Sequence, residues 1–192
     1  IYNCVRDIHP DEHPLTSGNK ITLLLPARIN EQKQQLLIVE HLKERLSKDI
    51  KIIFAGTGPD YDKLKATVDG DSRFECLGYR SDIYDLLAKS DYMLLFSEQE
   101  GLPISLIEAD MIGIPVVCND VGGNTEIVHD RENGFVVNTW DDLAQCINKL
   151  PNISEEQYKE MSRRGRDIYR EYFTFDVFKK YYLELLADLQ NE

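Results

Sequence analysis

Six short apolar runs alternate with helix-forming stretches, and that rhythm leaves few folds open to the chain. The runs are Ile21–Ala27, Lys51–Ala55, Arg73–Leu77, Tyr92–Phe96, Pro115–Cys118 and Phe135–Val137. Largely apolar runs of this length are what strands buried on both faces look like. Helical stretches lie between them, at Glu31–Ser47, 60–68, Ile83–Ala88, Ile104–Ile112, Thr125–Val128 and Asp141–Leu150. In the first of these, Leu36, Val39, Leu42 and Leu46 form one apolar stripe. Two further helices, over 154–172 and 175–190, close the chain. Strand and helix in alternation predict an α/β fold: a parallel six-stranded sheet with helices on both faces. Ligands of such sheets bind beyond the carboxyl ends of the strands. The loops that follow the strands are therefore where chemistry is expected.

Composition narrows the partners. With 22 Lys+Arg against 34 Asp+Glu the net charge is −12. That argues against nucleic acid or an anionic membrane as a general partner, since phosphate binding needs a positive field. A local basic pocket remains allowed. No apolar run approaches the roughly 18 residues of a membrane-spanning helix. The first residues, Ile1-Tyr2-Asn3-Cys4-Val5-Arg6, carry no signal-peptide pattern and no Met, so a piece of a longer protein is expected. Cysteines at 4, 76, 118 and 146 contain no C-x-x-C, which excludes zinc and thioredoxin-type readings. Cys76 and Cys118 fall in strands, as small buried hydrophobes. A reducing, cytoplasmic setting fits.

Residues 1–20 form a linker-like lead-in, with turns at His9-Pro10-Asp11-Glu12-His13-Pro14 and Ser17-Gly18-Asn19. His9 and His13 lie among prolines rather than on a helix, so no metal site is expected of them. Asn152-Ile153-Ser154 is better suited to capping a helix than to carrying a glycan. Trp140 is expected to anchor packing at a helix start, and His41 and His129 to lie at the surface.

The loop after the first strand, Arg28-Ile29-Asn30-Glu31-Gln32-Lys33, places a cation in the first helical turn. A cation is mildly unfavourable there unless a bound anion shares the helix amides with it. A plain pair with Glu31 is the alternative. After the second strand, Gly56-Thr57-Gly58-Pro59 only begins like a dinucleotide loop. Its glycines suit a tight turn near a ligand or a facing domain. After the third strand comes Gly78-Tyr79-Arg80-Ser81-Asp82, with Ser81 or Asp82 as helix cap. After the fourth comes Ser97-Glu98-Gln99-Glu100-Gly101-Leu102-Pro103, and Glu108 follows within an apolar helix. Free amides near Gly101 and Leu102 make an anion site. A buried acid at Glu108 needs hydrogen-bond donors, which sugar or ribose hydroxyls, or another helix, would supply. After the fifth strand, Gly122-Gly123 permits close backbone approach, with Glu126 fixing the loop.

These segments, in this order, resemble the C-terminal donor-binding domain of family 4 retaining glycosyltransferases. That makes the sheet Rossmann-like and one half of a GT-B fold. The resemblance rests on Arg28 and Lys33, Gly56-Thr57-Gly58-Pro59, Leu77-Gly78-Tyr79 and the E-x7-E pair Glu100 and Glu108. It extends through Gly113-Ile114-Pro115-Val116-Val117, Gly122-Gly123, Glu126-Ile127-Val128 and Asn133-Gly134-Phe135-Val136-Val137. Tyr2-Asn3 matches too, with Cys4 where the family often has Gly. Asp110-Met111-Ile112 replaces a more usual Ala-Met-Ala-like run.

The resemblance implies that Arg28 and Lys33 bind the donor diphosphate and stabilise the leaving nucleotide. It implies that Glu100 holds hydroxyls of the transferred sugar and that amides of Gly101 and Leu102 meet phosphate or sugar. Glu108 would take the ribose. Tyr79 and Arg80 would line the base pocket, and Gly58, Pro103 and Ile104 would complete the donor site. It implies no metal and no cofactor beyond a nucleotide-diphosphate sugar as co-substrate. Residues 21–172 would be the nucleotide-sugar domain. The helix over 173–192 would cross back to an N-terminal domain that carries a glycan or lipid-linked acceptor. Polysaccharide or cell-surface glycan synthesis would be the setting, in the cytoplasm or peripherally at the inner membrane. The isolated half would turn nothing over. A non-catalytic sugar-nucleotide-binding module, or a partner subunit of a glycosyltransferase, is the alternative. A sugar-nucleotide epimerase on the same scaffold is disfavoured by the residue signature.

Overall fold

A computed structural model describes residues 1–8 and 20–190. The turns expected over 9–19, with His9 and His13, lie outside the described residues. The six runs form strands β1 (Ile21–Pro26), β2 (Ile50–Ala55), β3 (Phe74–Gly78), β4 (Tyr92–Leu95), β5 (Val116–Cys118) and β6 (Gly134–Val136). All neighbours are parallel, in the order β3-β2-β1-β4-β5-β6. The chain runs outward from β1 to β3, then returns to lay β4 on the other side of β1. The gap between the carboxyl ends of β1 and β4 is thus the topological switch point, where sheets of this kind leave a crevice.

Successive strand residues point to opposite faces. Leu23 and Leu25 face one core with Tyr92 and Leu94. Leu24 faces the other with Met93 and Leu95. The first core is closed by α1 (Gln35–Leu42), α2 (Tyr61–Val68) and α6 (Trp140–Lys149). The second is closed by α3 (Ile83–Leu87), α4 (Ile104–Ile112), α5 (Asn124–Ile127) and α7 (Glu155–Tyr172). Each fully buried leucine of β1 contributes about 1.5–3 kcal/mol over an exposed one. Cys118 is buried as expected, whereas Cys76 is only half-buried.

The helix expected over 31–47 is interrupted. Glu31–Lys33 form a single 3-10 turn, Gln34 adopts a left-handed conformation with φ 53°, and α1 starts only at Gln35. Side chains cause the break. Asn30 Oδ1 accepts from the Lys33 amide at 3.1 Å. The buried Gln35 amide spans the loop, donating to the Arg28 carbonyl and accepting from the Asn30 amide. Lys33 therefore belongs to a turn before the helix. Ser154 caps α7 in a reciprocal capping box with Gln157. Asp82 occupies the cap position of α3 without capping it. Trp140 opens α6 and packs between His41 and Phe96.

Two features tie the second face together. Asp110 on α4 is fully buried, and both its oxygens accept from Asn133 Nδ2, at 2.9 and 3.0 Å. The first residues are no loose linker. Val5 sits in the second core, its amide donates to the Phe173 carbonyl, and its carbonyl accepts from Tyr169. Buried Arg166 on α7 forks onto Asp7 at 3.1 Å for each oxygen. The last helix, α8 (Phe175–Gln190), leaves at this corner and exposes Phe175, Leu183, Leu185 and Leu189.

Candidate functional site

The loops after β1 and β4 close on each other across the switch point. Gln32 donates through Nε2 to the Gln99 carbonyl and accepts at its own carbonyl from the Glu98 amide, both at 2.8 Å. These bonds bring Lys33 against Glu100, with Nζ 2.5 Å from Oε1. The side chains are 19% and 6% exposed. The alternative pair with Glu31 does not form; the cation meets an acid 67 residues away. The 3-10 turn is what aims it there. Arg28, two residues after β1, is exposed and has no ion-pair partner among the described residues.

Helix α4 begins immediately after this loop. Pro103 holds the cap position without a side-chain cap, so the first amides of α4 carry no side-chain partner. The macrodipole and the Lys33 ammonium both favour an anion at this point. Around Gly101 a Cβ would meet nothing within 4 Å, so space lies open above it. The neighbouring loop is tighter. Gly122 has φ 55°, and a Cβ there would lie 2.0 Å from the Glu100 carbonyl oxygen. Only glycine lets the β5–α5 loop lie against the Glu100–Gly101 backbone.

One turn along α4, Glu108 is half-buried and accepts from the Tyr84 hydroxyl at 2.7 Å. Burial pushes its carboxyl above the ordinary glutamate range, and the bond from Tyr84 only partly offsets this. Tyr84 is itself pushed up to about 12, by burial first and by Glu108 second. Sequence reasoning missed Tyr84. Its position one residue into α3, the helix that packs on α4, was the available signal.

The remaining predicted residues are more dispersed. Tyr79, after β3, is 77% exposed. Arg80 is exposed and forks onto Asp82, which holds that carboxyl below its ordinary range. Ile104 is 50% exposed at the start of α4. Gly58 has a reason internal to the fold, because a Cβ there would lie 2.1 Å from the Ile29 carbonyl oxygen. A groove of about 1420 Å3 lies elsewhere, between β6, α6 and α7, and none of the predicted residues lines it. Lys33, Glu100, Gly101, Leu102 and Pro103 thus converge at the switch point, with Glu108 further along the same helix.

The family model for glycosyl transferases group 1 matches residues 6–168. The chain belongs to the group 1 glycosyltransferases. N-acetyl-alpha-D-glucosaminyl L-malate synthase of Bacillus anthracis is 26% identical over 188 residues, which are 94% of this chain and 49% of that protein. The chain spans about half the length of the curated relatives it matches. Among solved structures, Anabaena Alr3699/HepE in complex with UDP and glucose superposes with a TM-score of 0.79 at 23% identity. It covers 88% of this chain and 48% of its own. The isolated C-terminal domain of a group 1 family protein from Francisella tularensis superposes with a TM-score of 0.70 at 19% identity, covering 88% of this chain and 99% of its own. The group 1 chain therefore has the Rossmann-like, GT-B-type fold expected of it.

Proposed function

We propose that this group 1 chain is the donor half of a retaining glycosyltransferase. It takes a sugar from a nucleotide-diphosphate sugar and passes it to an acceptor hydroxyl during glycan synthesis. The observation that carries the reading is the Lys33–Glu100 pair set against the uncapped start of α4 at the switch point. A diphosphate laid there meets a lysine and free amides, and the exposed Arg28 lies on the same loop as that lysine. As the anomeric C–O bond breaks, charge grows on the phosphate oxygen, and these positive groups stabilise it where it develops. Glu100 is left to accept from the sugar hydroxyls, and Glu108 from the ribose. The acceptor oxygen bonds to the anomeric carbon on the face the phosphate leaves, and its proton passes to the departing phosphate.

The halved length relative to the relatives and the apolar side chains exposed on α8 support a second domain packed on that helix, carrying the acceptor site. Among the described residues no helix is long and apolar enough to cross a membrane. The reading puts the protein in the cytoplasm, or peripherally at a membrane through the second domain. UDP is the first nucleotide to try, given the UDP complex of HepE.

The test is calorimetric titration of UDP, GDP and ADP and their sugars into the chain, with Glu108→Ala and Lys33→Ala alongside. Binding of one nucleotide, weakened in both variants, supports the assignment. No binding at about millimolar concentration, or unchanged binding in both variants, overturns it.

Glu108 adds a pH signature. Its raised pKa means that it takes a proton above the ordinary glutamate range. Protonated, it loses acceptor capacity toward ribose hydroxyls. Nucleotide affinity is expected to fall as the pH drops into the weakly acidic range, with proton release on binding. Glu108→Gln should bind more weakly at neutral pH and lose that pH dependence. A Gln variant with the wild-type profile would remove Glu108 from the ribose site.

A further inference from the structure

The first residues of the chain reach the site. Asn3 Nδ2 donates to the Leu102 carbonyl at 3.3 Å. From the other side, the Gly123 amide donates to the Gly101 carbonyl at 2.6 Å. The two peptide planes that flank Leu102 are therefore both held. A trans peptide sets its N–H opposite its C=O. With the Gly101 carbonyl turned to Gly123, the Leu102 N–H must point away from the β5–α5 loop. In the sheet order β1-β4-β5 the opposite side is the β1 loop, where Lys33 stands. The next peptide offers no N–H, because Pro103 follows. Leu102 N–H meets no acceptor among the described residues, and unpaired amides of this kind are what ligands complete.

The same strap runs beside the second loop. Glu126 on α5, which begins directly after Gly122-Gly123, is close enough to the Tyr2 hydroxyl to push its pKa up. Tyr2 also packs its ring 5.4 Å from Phe173. Residues 2 and 3 thus reach both loops: Asn3 bonds the Leu102 carbonyl, and Tyr2 stands beside Glu126.

We propose that Asn3 is a positioning residue for the donor phosphate: Gly123 turns the Leu102 N–H toward the Lys33 side of the crevice, where the distal phosphate of a nucleoside diphosphate is held, and Asn3, by holding the next peptide at the Leu102 carbonyl, limits rotation about the Leu102 backbone that would let that amide swing away. This rests on the donor-site reading above. Asn3 touches the loop and not the ligand. It acts by fixing the Leu102–Pro103 plane, the neighbour of the amide-bearing one, so that Leu102 does not have to be reordered when the phosphate arrives.

Asn3→Asp is the sharp variant, since it keeps shape and removes the donor. Asn3→Gln keeps an amide donor on a longer arm. Titrations of UDP, GDP and ADP, and of UMP, GMP and AMP, are run beside 15N spectra of the ligand-free chain. In Asn3→Asp, diphosphate affinity should fall about three- to tenfold, the size of one net hydrogen bond. Monophosphate affinity should change less than twofold, the Leu102 and Gly123 amide signals should move, and Asn3→Gln should recover part of the loss. Equal loss of mono- and diphosphate marks a merely structural role and overturns the proposal. So does an unmoved Leu102 signal with unchanged diphosphate affinity. If the wild-type chain binds no nucleotide at all, the donor-site reading falls and the phosphate role falls with it. The 15N shifts in the free chain still report whether Asn3 holds the peptide, so the two failures are distinguishable.

Discussion

Replacing Lys33 by alanine is expected to cut the affinity for a nucleoside diphosphate by about ten- to hundredfold. Bonds from a charged donor are worth about 1.5–3 kcal/mol, and that range sets the size. The geometry pushes toward the upper end. Lys33 is the partner of Glu100, whose side chain is 6% exposed. Removing the ammonium therefore does two things at once. It deletes a phosphate contact, and it leaves an uncompensated carboxylate facing the incoming anion. Glu100→Gln supplies the opposite sign. It frees Lys33, so bare diphosphate should bind at least as tightly as to wild type, while binding of the intact nucleotide sugar should weaken. Calorimetry on the two variants and the double variant gives the coupling directly. A Lys33→Ala chain within twofold of wild type would place the phosphates elsewhere.

Asn133→Ala should cost about 1–3 kcal/mol or more in denaturant unfolding, the penalty of leaving a buried acceptor unsatisfied, which is larger when the acceptor is charged. Asn133 donates to both oxygens of Asp110 and to the Ile127 carbonyl, and it accepts from the His129 amide. Burial holds the Asp110 carboxyl well above its ordinary range. The sign follows from proton counting. A group whose folded pKa is raised binds more protons folded than unfolded, so its contribution is best at acid pH and is lost as pH rises. The penalty of Asn133→Ala should accordingly shrink as pH falls from neutral toward the carboxylate range, where Asp110 accepts a proton. Asp110→Asn in the same background should recover stability at neutral pH. A pH-independent penalty would mean that the loss comes from the Ile127 and His129 bonds alone.

Much of this molecule was legible because its periodicities are clean. Leu23-Leu24-Leu25 could only be a strand buried on both faces, and six such runs separated by helices leave one sheet type. The site loops were legible for the same reason, since each lies directly after a strand. What escaped was local. Nothing about Gln34 in the sequence announces a left-handed residue, and the break there depends on Asn30 and Gln35 reaching backbone groups across the turn. The partner of Lys33 escaped because adjacency along the chain favours Glu31, whereas the order of strands favours Glu100. Asp110 looked like a neutral departure from a family pattern. Its cost and its partner, Asn133, become visible only when α4 and the approach to β6 are side by side.

The bond from the Val5 amide to the Phe173 carbonyl has a consequence for engineering. It places the incoming strap and the start of the outgoing helix at one corner of the domain, on one hydrogen bond of 3.2 Å. On the proposed donor-half reading, connections to a second domain that leave at one point let the domain be exchanged as a cassette. Grafting it onto a different acceptor half would disturb a single seam, and the β1–β4 crevice, at the carboxyl end of the sheet, would travel with it intact.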